Sequence, residues 1–154
     1  MTETRSEVDI DVPAALVWGI LADFRAYGRW NPLIRGILGH PVPGGTIEIS
    51  LRTSAGREMR SRPTVVFVRE EREMKWLDRW RIPGLFTSER RFRLVPLAHG
   101  GVRFHHEERA QGMLVSLLGL RRRVRGQPGF DAMASALKQR AERAWAQRGN
   151  AAIH

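Results

Sequence analysis

The sequence contains no cysteine, which excludes disulfides, thiolate metal sites and a cysteine nucleophile together. It also lacks any apolar run near the ~20 residues that a membrane span needs. Its first residues, Met1-Thr2-Glu3-Thr4-Arg5-Ser6-Glu7-Val8, carry charge where a signal peptide would place an apolar core. These absences point to a cytoplasmic protein. Lysine is nearly missing, since only Lys75 and Lys138 break an otherwise all-arginine basic set. There is no phosphate-cradling loop and no dinucleotide fingerprint, because Gly44-Gly45 and Gly100-Gly101 read as hairpin glycines. No cofactor is expected.

What is present fits one domain: 154 residues, 42% of them apolar, with glycine and proline in short clusters. The expected extent is residues 1–148, with 149–154 as a loose tail. The net charge of +10 raises the question of nucleic acid. Most arginines, however, alternate along strand-like segments as solvated faces do, and no nucleic-acid partner is expected. The exception is Arg121-Arg122-Arg123-Val124-Arg125, which follows the apolar stretch Met113-Leu114-Val115-Ser116-Leu117-Leu118-Gly119-Leu120. The stretch from Met113 to Arg125 is a buried turn followed by a solvated one, or a weak contact with an anionic membrane surface.

Val8, Ile10 and Val12 alternate with Glu7, Asp9 and Asp11, the period of a half-buried strand. Pro13 then suits the first turn of a short helix whose inner face holds Val17, Leu21 and Phe24. Asp23 is placed to cap a second short helix, which must end before Pro32. From there to Gln111 only strand and turn signals occur, so the sheet is antiparallel. Residues 34–39 and 47–51 are strands. Met59, Ser61, Pro63, Val65 and Phe67 share one face of a further strand. Met74, Trp76, Asp78, Trp80 and Ile82 share a face of the next, followed by Phe86, Ser88, Arg90, Phe92 and Leu94, and finally by Val102, Phe104, His106, Glu108 and Ala110. Beyond Gly129 the period becomes helical: Phe130, Met133, Ala134, Leu137, Ala141, Ala144 and Trp145 recur at spacings of three and four.

The order of these elements, with Val17-Trp18, Asp23, Tyr27 and Trp30-Asn31-Pro32 near the start, resembles the SRPBCC superfamily, the START-like helix-grip proteins. Pro63-x-Val65, Arg90-x-Phe92-x-Leu94, Gly101, Glu108-x-x-x-Gly112, Phe130-x-x-Met133, Leu137-Lys138 and Ala141-Glu142 are similar to its polyketide cyclase/dehydrase-like branch. The resemblance runs from about Val8 to Trp145. It implies an α+β helix-grip fold: a curved six- or seven-stranded antiparallel sheet wrapped around a long C-terminal helix, with two short helices after the first strand. It also implies an internal cavity for a hydrophobic small molecule. It carries over no catalytic residue, because the superfamily includes carriers, hormone binders and cyclases alike.

Strand parity, independent of the resemblance, turns Asp78, Ser88, Arg90, His106 and Glu108 toward the same interior as the apolar residues of the last three strands. Buried ionisable groups are costly unless paired, so Arg90 is expected to pair with Asp78 or Glu108, with His106 close by. Such a cluster either fixes the sheet or orients a ligand's polar end. Trp30, Trp76, Trp80, Phe86, Phe92, Phe104, Met133 and Leu137 then either contact its apolar body or fill core. The first reading is binding of a lipid or polyketide-like molecule. The second is a cyclase or dehydrase using His106 as base, Asp78 or Glu108 as its partner, and Arg90 on an enolate-like oxygen. His105-His106 with Glu107-Glu108 cannot gather on one metal, because strand neighbours face opposite ways. The sequence leaves a homodimer open.

Overall fold

The computed structural model describes residues 2–52, 56–113 and 126–153. The chain begins with β1 (Thr2–Ile10), α1 (Ala14–Ala22), a 3₁₀ turn (Phe24–Ala26) and α2 (Tyr27–Trp30). It continues through β2 (Ile34–Leu38), β3 (Glu48–Arg52), β4 (Glu58–Ser61), β5 (Thr64–Arg69), β6 (Glu73–Arg79), β7 (Thr87–Pro96) and β8 (Val102–Gln111), and reaches a long helix, α3 (Gln127–Ile153). All strand pairing is antiparallel. One sheet has the order β1-β8-β7-β6-β5, the other β2-β3-β4.

Among the described residues the strands thus number eight in two sheets, where the sequence suggested six or seven in one. The division falls at Pro63. A continuous strand across residues 59–67 would need a backbone N–H that proline lacks, and the chain breaks into β4 and β5 around it. The two sheets stay tied there: Ile47 N donates to Pro63 O (2.9 Å), Val65 N to Gly45 O (2.9 Å), and Thr46 bridges Thr64. A register shift between Val65 and Phe67 then turns the strand over. Val65 is buried, whereas Phe67, expected on the same face, lies exposed beside Lys75.

The first strand starts at Thr2, well before the first apolar alternation, because β1 pairs with β8 from Thr2/Ala110 to Ile10/Val102. Asp23 does not act as a side-chain cap, and its carbonyl instead accepts the Ala26 N–H (3.2 Å). The turn at Asn31 closes through its own side chain, whose Oδ1 accepts from Leu33 N (2.9 Å) and Ile34 N (2.8 Å).

Helix α3 carries Pro128 in its first turn, where the missing N–H costs nothing. Its buried side is Phe130, Met133, Ala134, Leu137 and Ala141, with Ala144 partly buried, while Trp145 stands largely exposed. Polar ties hold it along β1: Asp131 Oδ1 accepts from Ser6 Oγ (2.8 Å), Gln127 Nε2 donates to Arg5 O (2.5 Å), and Lys138 Nζ donates to Asp9 O (2.7 Å). The core lies between this helix, α1 and the concave faces of the strands.

Candidate functional site

The unbroken alternation of β7 and β8 places every expected interior residue inside. Ser88, Arg90, Phe92 and Leu94 are buried on β7, and Val102, Phe104, His106, Glu108 and Ala110 on β8. Trp76 and Met74 are buried on β6, and Asp78 is half-buried at its end. His105 and Glu107 point to the convex face. Among the described residues, no three metal-ligating side chains of the carboxylate, imidazole or thiolate kind come together.

Arg90 is the centre of the polar cluster. Its Nη2 donates to Glu108 Oε2 at 2.7 Å and its Nη1 meets His106 Nε2 at 2.7 Å, with all three side chains buried. A guanidinium has donors only, so Nε2 of His106 must accept. The imidazole is therefore neutral, with its proton on Nδ1. Its ring is also tightly stacked, on Phe130 at 4.0 Å and 6° and on Phe92 at 4.8 Å and 29°. The Arg90 guanidinium carbon stands 5.4 Å from the Phe130 ring centre, a cation–π contact that ties helix to sheet.

The aromatic side chains separate into two groups. Trp76, Phe92 and Phe104 are core: Trp76 meets Phe92 edge-on at 5.1 Å and Phe24 edge-on at 5.6 Å, and Phe92 stacks on Phe104 at 6.1 Å. Met133 and Leu137 close this core from the helix. Trp30 is half-buried and leans on Tyr27 at 5.1 Å, away from the cluster in the chain. Burial pushes the Tyr27 hydroxyl well above the usual phenol range, and it donates to Leu21 O at 2.5 Å. Trp80 and Phe86 pack together at 5.4 Å on the connection between β6 and β7. Trp80 is 48% exposed and Ile82 63%, because β6 ends at Arg79 and its inward parity ends with it.

Among the described residues, a cavity adjoins the cluster. It lies between the two sheets, lined by Ile49, Ser61, Pro63, Trp76, Asp78, Ser88 and Arg90, and its ≈ 10 Å³ is about the room of one water. The Phe92–His106–Phe130 stack meets the wall of this cavity at Arg90, which touches both His106 and the Phe130 ring. Ile49 and Ser61 come from the smaller sheet and Pro63 from the link between the two sheets, and only their alternation marked them as inward-facing in the sequence. Trp76 Nε1 and Ser61 Oγ are buried without a protein partner.

A groove of ≈ 380 Å³ lined by Arg79, Trp80, Arg81, Ile82 and Leu85 lies on the β6–β7 connection. Met113 N donates to Gly84 O at 3.1 Å, so the exposed Met113 side chain belongs to the same rim. The basic run of residues 121–125 lies outside the described residues. No described helix is long and apolar enough to cross a membrane.

The fold recurs in solved structures. A START superfamily protein from Mycobacterium smegmatis is 19% identical, with 92% of this chain and 98% of that one covered at a TM-score of 0.66. A second protein from that organism is 15% identical, with 89% and 88% covered and a TM-score of 0.69. A putative protein of the dynemicin biosynthetic locus is 13% identical over 91% of this chain and 47% of its own, also at 0.66. No curated protein sequence matches. The family described as polyketide cyclase/dehydrase and lipid transport matches residues 1–147, and with the helix-grip architecture in place the chain belongs to that family.

Proposed function

We propose that the protein binds a hydrophobic or aromatic small molecule between its two sheets, with the polar end of the ligand at the Asp78–Ser88–Arg90 end of the interior. One observation carries this: apolar Ile49, Pro63 and Trp76 share a single cavity with the polar groups of Ser61, Asp78, Ser88 and Arg90, the composition of a small-molecule site. A ligand larger than a water enters by parting the smaller sheet from the start of β5, where one bridge and the strap of residues 44–47 hold them together.

Binding is favoured over cyclase or dehydrase chemistry by the state of His106. A general base needs a free lone pair within reach of the substrate. The basic nitrogen of His106 accepts from Arg90, and both ring faces are covered by phenyl rings. The enzyme reading would require the stack to open. Native mass spectrometry of gently purified protein tests the proposal, with a co-purified organic mass as the expected result. Turnover of a polyketide-like substrate that is abolished in His106→Gln, with substrate affinity retained, would reverse the choice.

The exposed rim of Trp80, Ile82 and Met113, flanked by Arg79 and Arg81, supports a second element of the reading, contact with an anionic membrane surface during ligand exchange. Co-sedimentation with phosphatidylserine vesicles tests it. Binding should fall with salt and in Trp80→Ala, and binding equal to that of neutral vesicles would count against it.

A further inference from the structure

The smaller sheet also has an outward face. Gly36, Ser50 and Arg60 are register partners across β2, β3 and β4, so they share one face, opposite the buried pair Ile37 and Ile49. This row lines a groove of ≈ 390 Å³, to which Arg25 and Gly28 contribute from the 3₁₀ turn and α2, and Arg35 from β2. Gly28 allows the helix to come close, since a Cβ there would stand 3.0 Å from Arg35 O. Gly36 has no such reason. Its φ lies outside the left-handed region, the register shift beside it places the extra residue at Arg35, and a Cβ on it would meet nothing within 4 Å. Glycine weakens a strand interior, and where neither backbone nor packing requires it, the space above it suits the close approach of a ligand.

The charge around the groove decides what kind of ligand. On the larger sheet arginines meet carboxylates: Arg91 pairs with Glu73, Arg103 with Asp9 and Arg109 with Glu3. In the groove, among the described residues, Arg25 and Arg35 have no carboxylate at ion-pair distance, and Arg60 has only the exposed Glu58 at 3.7 Å. Arg35 Nη1 donates to Asn31 O at 3.0 Å, which steadies the side chain and leaves its charge uncompensated. The one acid in the lining, Glu48, is engaged by Arg62 at 2.8 Å. Three guanidiniums and the Ser50 hydroxyl supply more donors than the two oxygens of one carboxylate can use, and suit the three terminal oxygens and double charge of a phosphate. No aromatic side chain lines the groove, so nucleic-acid bases have nothing to stack on. The exposed Trp80 and Ile82 line a different groove, and here Leu38 is the one exposed apolar side chain, too little to enter a membrane.

We infer that the outer face of the smaller sheet is a binding site for a soluble phosphate ester, with the phosphate over Gly36 and Ser50 and bordered by Arg25, Arg35 and Arg60. Leu38 meets the organic part of the ester. The site lies on the opposite side of that sheet from the interior cavity and does not depend on what the cavity binds.

The test is an NMR titration of the full chain with glycerol phosphate and with glycerate at one ionic strength, which reports both affinity and place. Glycerol phosphate should shift the amides of Gly36 and Ser50 and bind about tenfold more tightly than glycerate. Arg25→Gln should weaken it about fivefold, the upper worth of an exposed ion pair. Gly36→Val should weaken it about tenfold or more by standing where the phosphate does, and its melting temperature should not fall, because valine is the better strand former. Arg140→Gln, on the exposed side of α3, should leave binding unchanged. Equal losses in Arg25→Gln and Arg140→Gln would show a diffuse attraction to the net charge of +10 and overturn the inference. Unchanged binding in a folded Gly36→Val, glycerate binding as tightly as the phosphate, or no shift at the groove amides would each overturn it too. If Gly36→Val does not fold, the comparison of Arg25→Gln with Arg140→Gln decides. Phosphatidic acid vesicles that bind wild type but not Gly36→Val, with no binding of glycerol phosphate, would assign the groove to a lipid headgroup and likewise overturn it.

Discussion

Arg90 and Glu108 are register partners on β7 and β8, so backbone pairing itself sets the 2.7 Å contact between their buried side chains. The next rung on the same face, Phe92 opposite His106, brings the imidazole to the guanidinium as well. Neither charge can reach water if its partner is removed. Glu108→Ala should therefore cost roughly 3–5 kcal/mol, as for other buried pairs broken on one side, whereas the double change Arg90→Met with Glu108→Leu should cost far less. Urea unfolding of the three proteins measures this. A single variant no less stable than the double one would show that the pair is solvated.

The stacking of His106 on Phe130 predicts how the long helix is held. Phe130 is fully buried, faces the imidazole at 4.0 Å and lies under Arg90. Phe130→Ala should lose about 3–5 kcal/mol through the cavity it leaves and lower the melting temperature by roughly 10 °C in a chain of this size. Phe130→Tyr should be milder. The check is thermal unfolding by circular dichroism. A loss under ~1 kcal/mol for the alanine variant would mean that the ring is not an anchor.

These two predictions involve residues whose place was legible in the sequence, and the reason is physical. Strand β7 alternates without interruption from Thr87 to Leu94 and β8 over all ten of its residues, so parity carried Arg90, Phe92, Phe104, His106 and Glu108 to the interior, and the cost of buried charge then called for pairing. Parity fails wherever the period slips by one. The bulge between Val65 and Phe67 exposed a phenylalanine that simple alternation placed inside, and the end of β6 at Arg79 released Trp80 and Ile82 to the rim. The break at Pro63 was equally visible as a residue and invisible as a division between sheets. The tautomer of His106 needed coordinates, since it follows from which nitrogen the guanidinium meets. Trp76 stood among the candidate aromatic contacts, but that its indole nitrogen and Ser61 Oγ are buried without protein partners had no signal in the sequence.

His105, on the convex face, predicts a pH effect. Burial, with help from the Arg93 guanidinium, holds its imidazole below the usual 6.5, against the weaker opposing pull of Glu7 and Glu107. The folded state thus binds fewer protons than the unfolded chain in the window just below 6.5. Stability should fall as pH drops through that window, and the loss should stop growing once the folded imidazole is protonated as well. His105→Gln should remove this part of the slope and leave the carboxylate-driven loss at lower pH, to which Glu3 and Asp9, both lowered by arginine partners, contribute. Melting temperatures of both proteins across the window test the sign. A wild-type protein that gains stability as pH falls below 6.5 would contradict it.

Gly112 joins the end of β8 to the β6–β7 connection, and its geometry predicts which glycine there cannot be replaced. Its φ is +123°, and a Cβ would lie 2.4 Å from Leu85 O and 2.9 Å from the Cα of Phe86. Both neighbours are backbone, so neither can rotate away. Gly84, on the opposing turn, also has a positive φ, +79°, but a Cβ there would meet nothing within 4 Å. Gly84→Ala should therefore cost only the conformational penalty, about 1 kcal/mol. Gly112→Ala adds a backbone collision to that penalty and should cost at least ~2 kcal/mol more, because the chain must move. The same movement would separate Met113 from Gly84, whose 3.1 Å hydrogen bond holds the rim together. Gly112→Ala should thus also weaken vesicle binding through Trp80 and Ile82 when Gly84→Ala does not. Equal stability losses in the two variants would mean that the rim yields freely, and the close approach of Gly112 to Leu85 would then fix nothing.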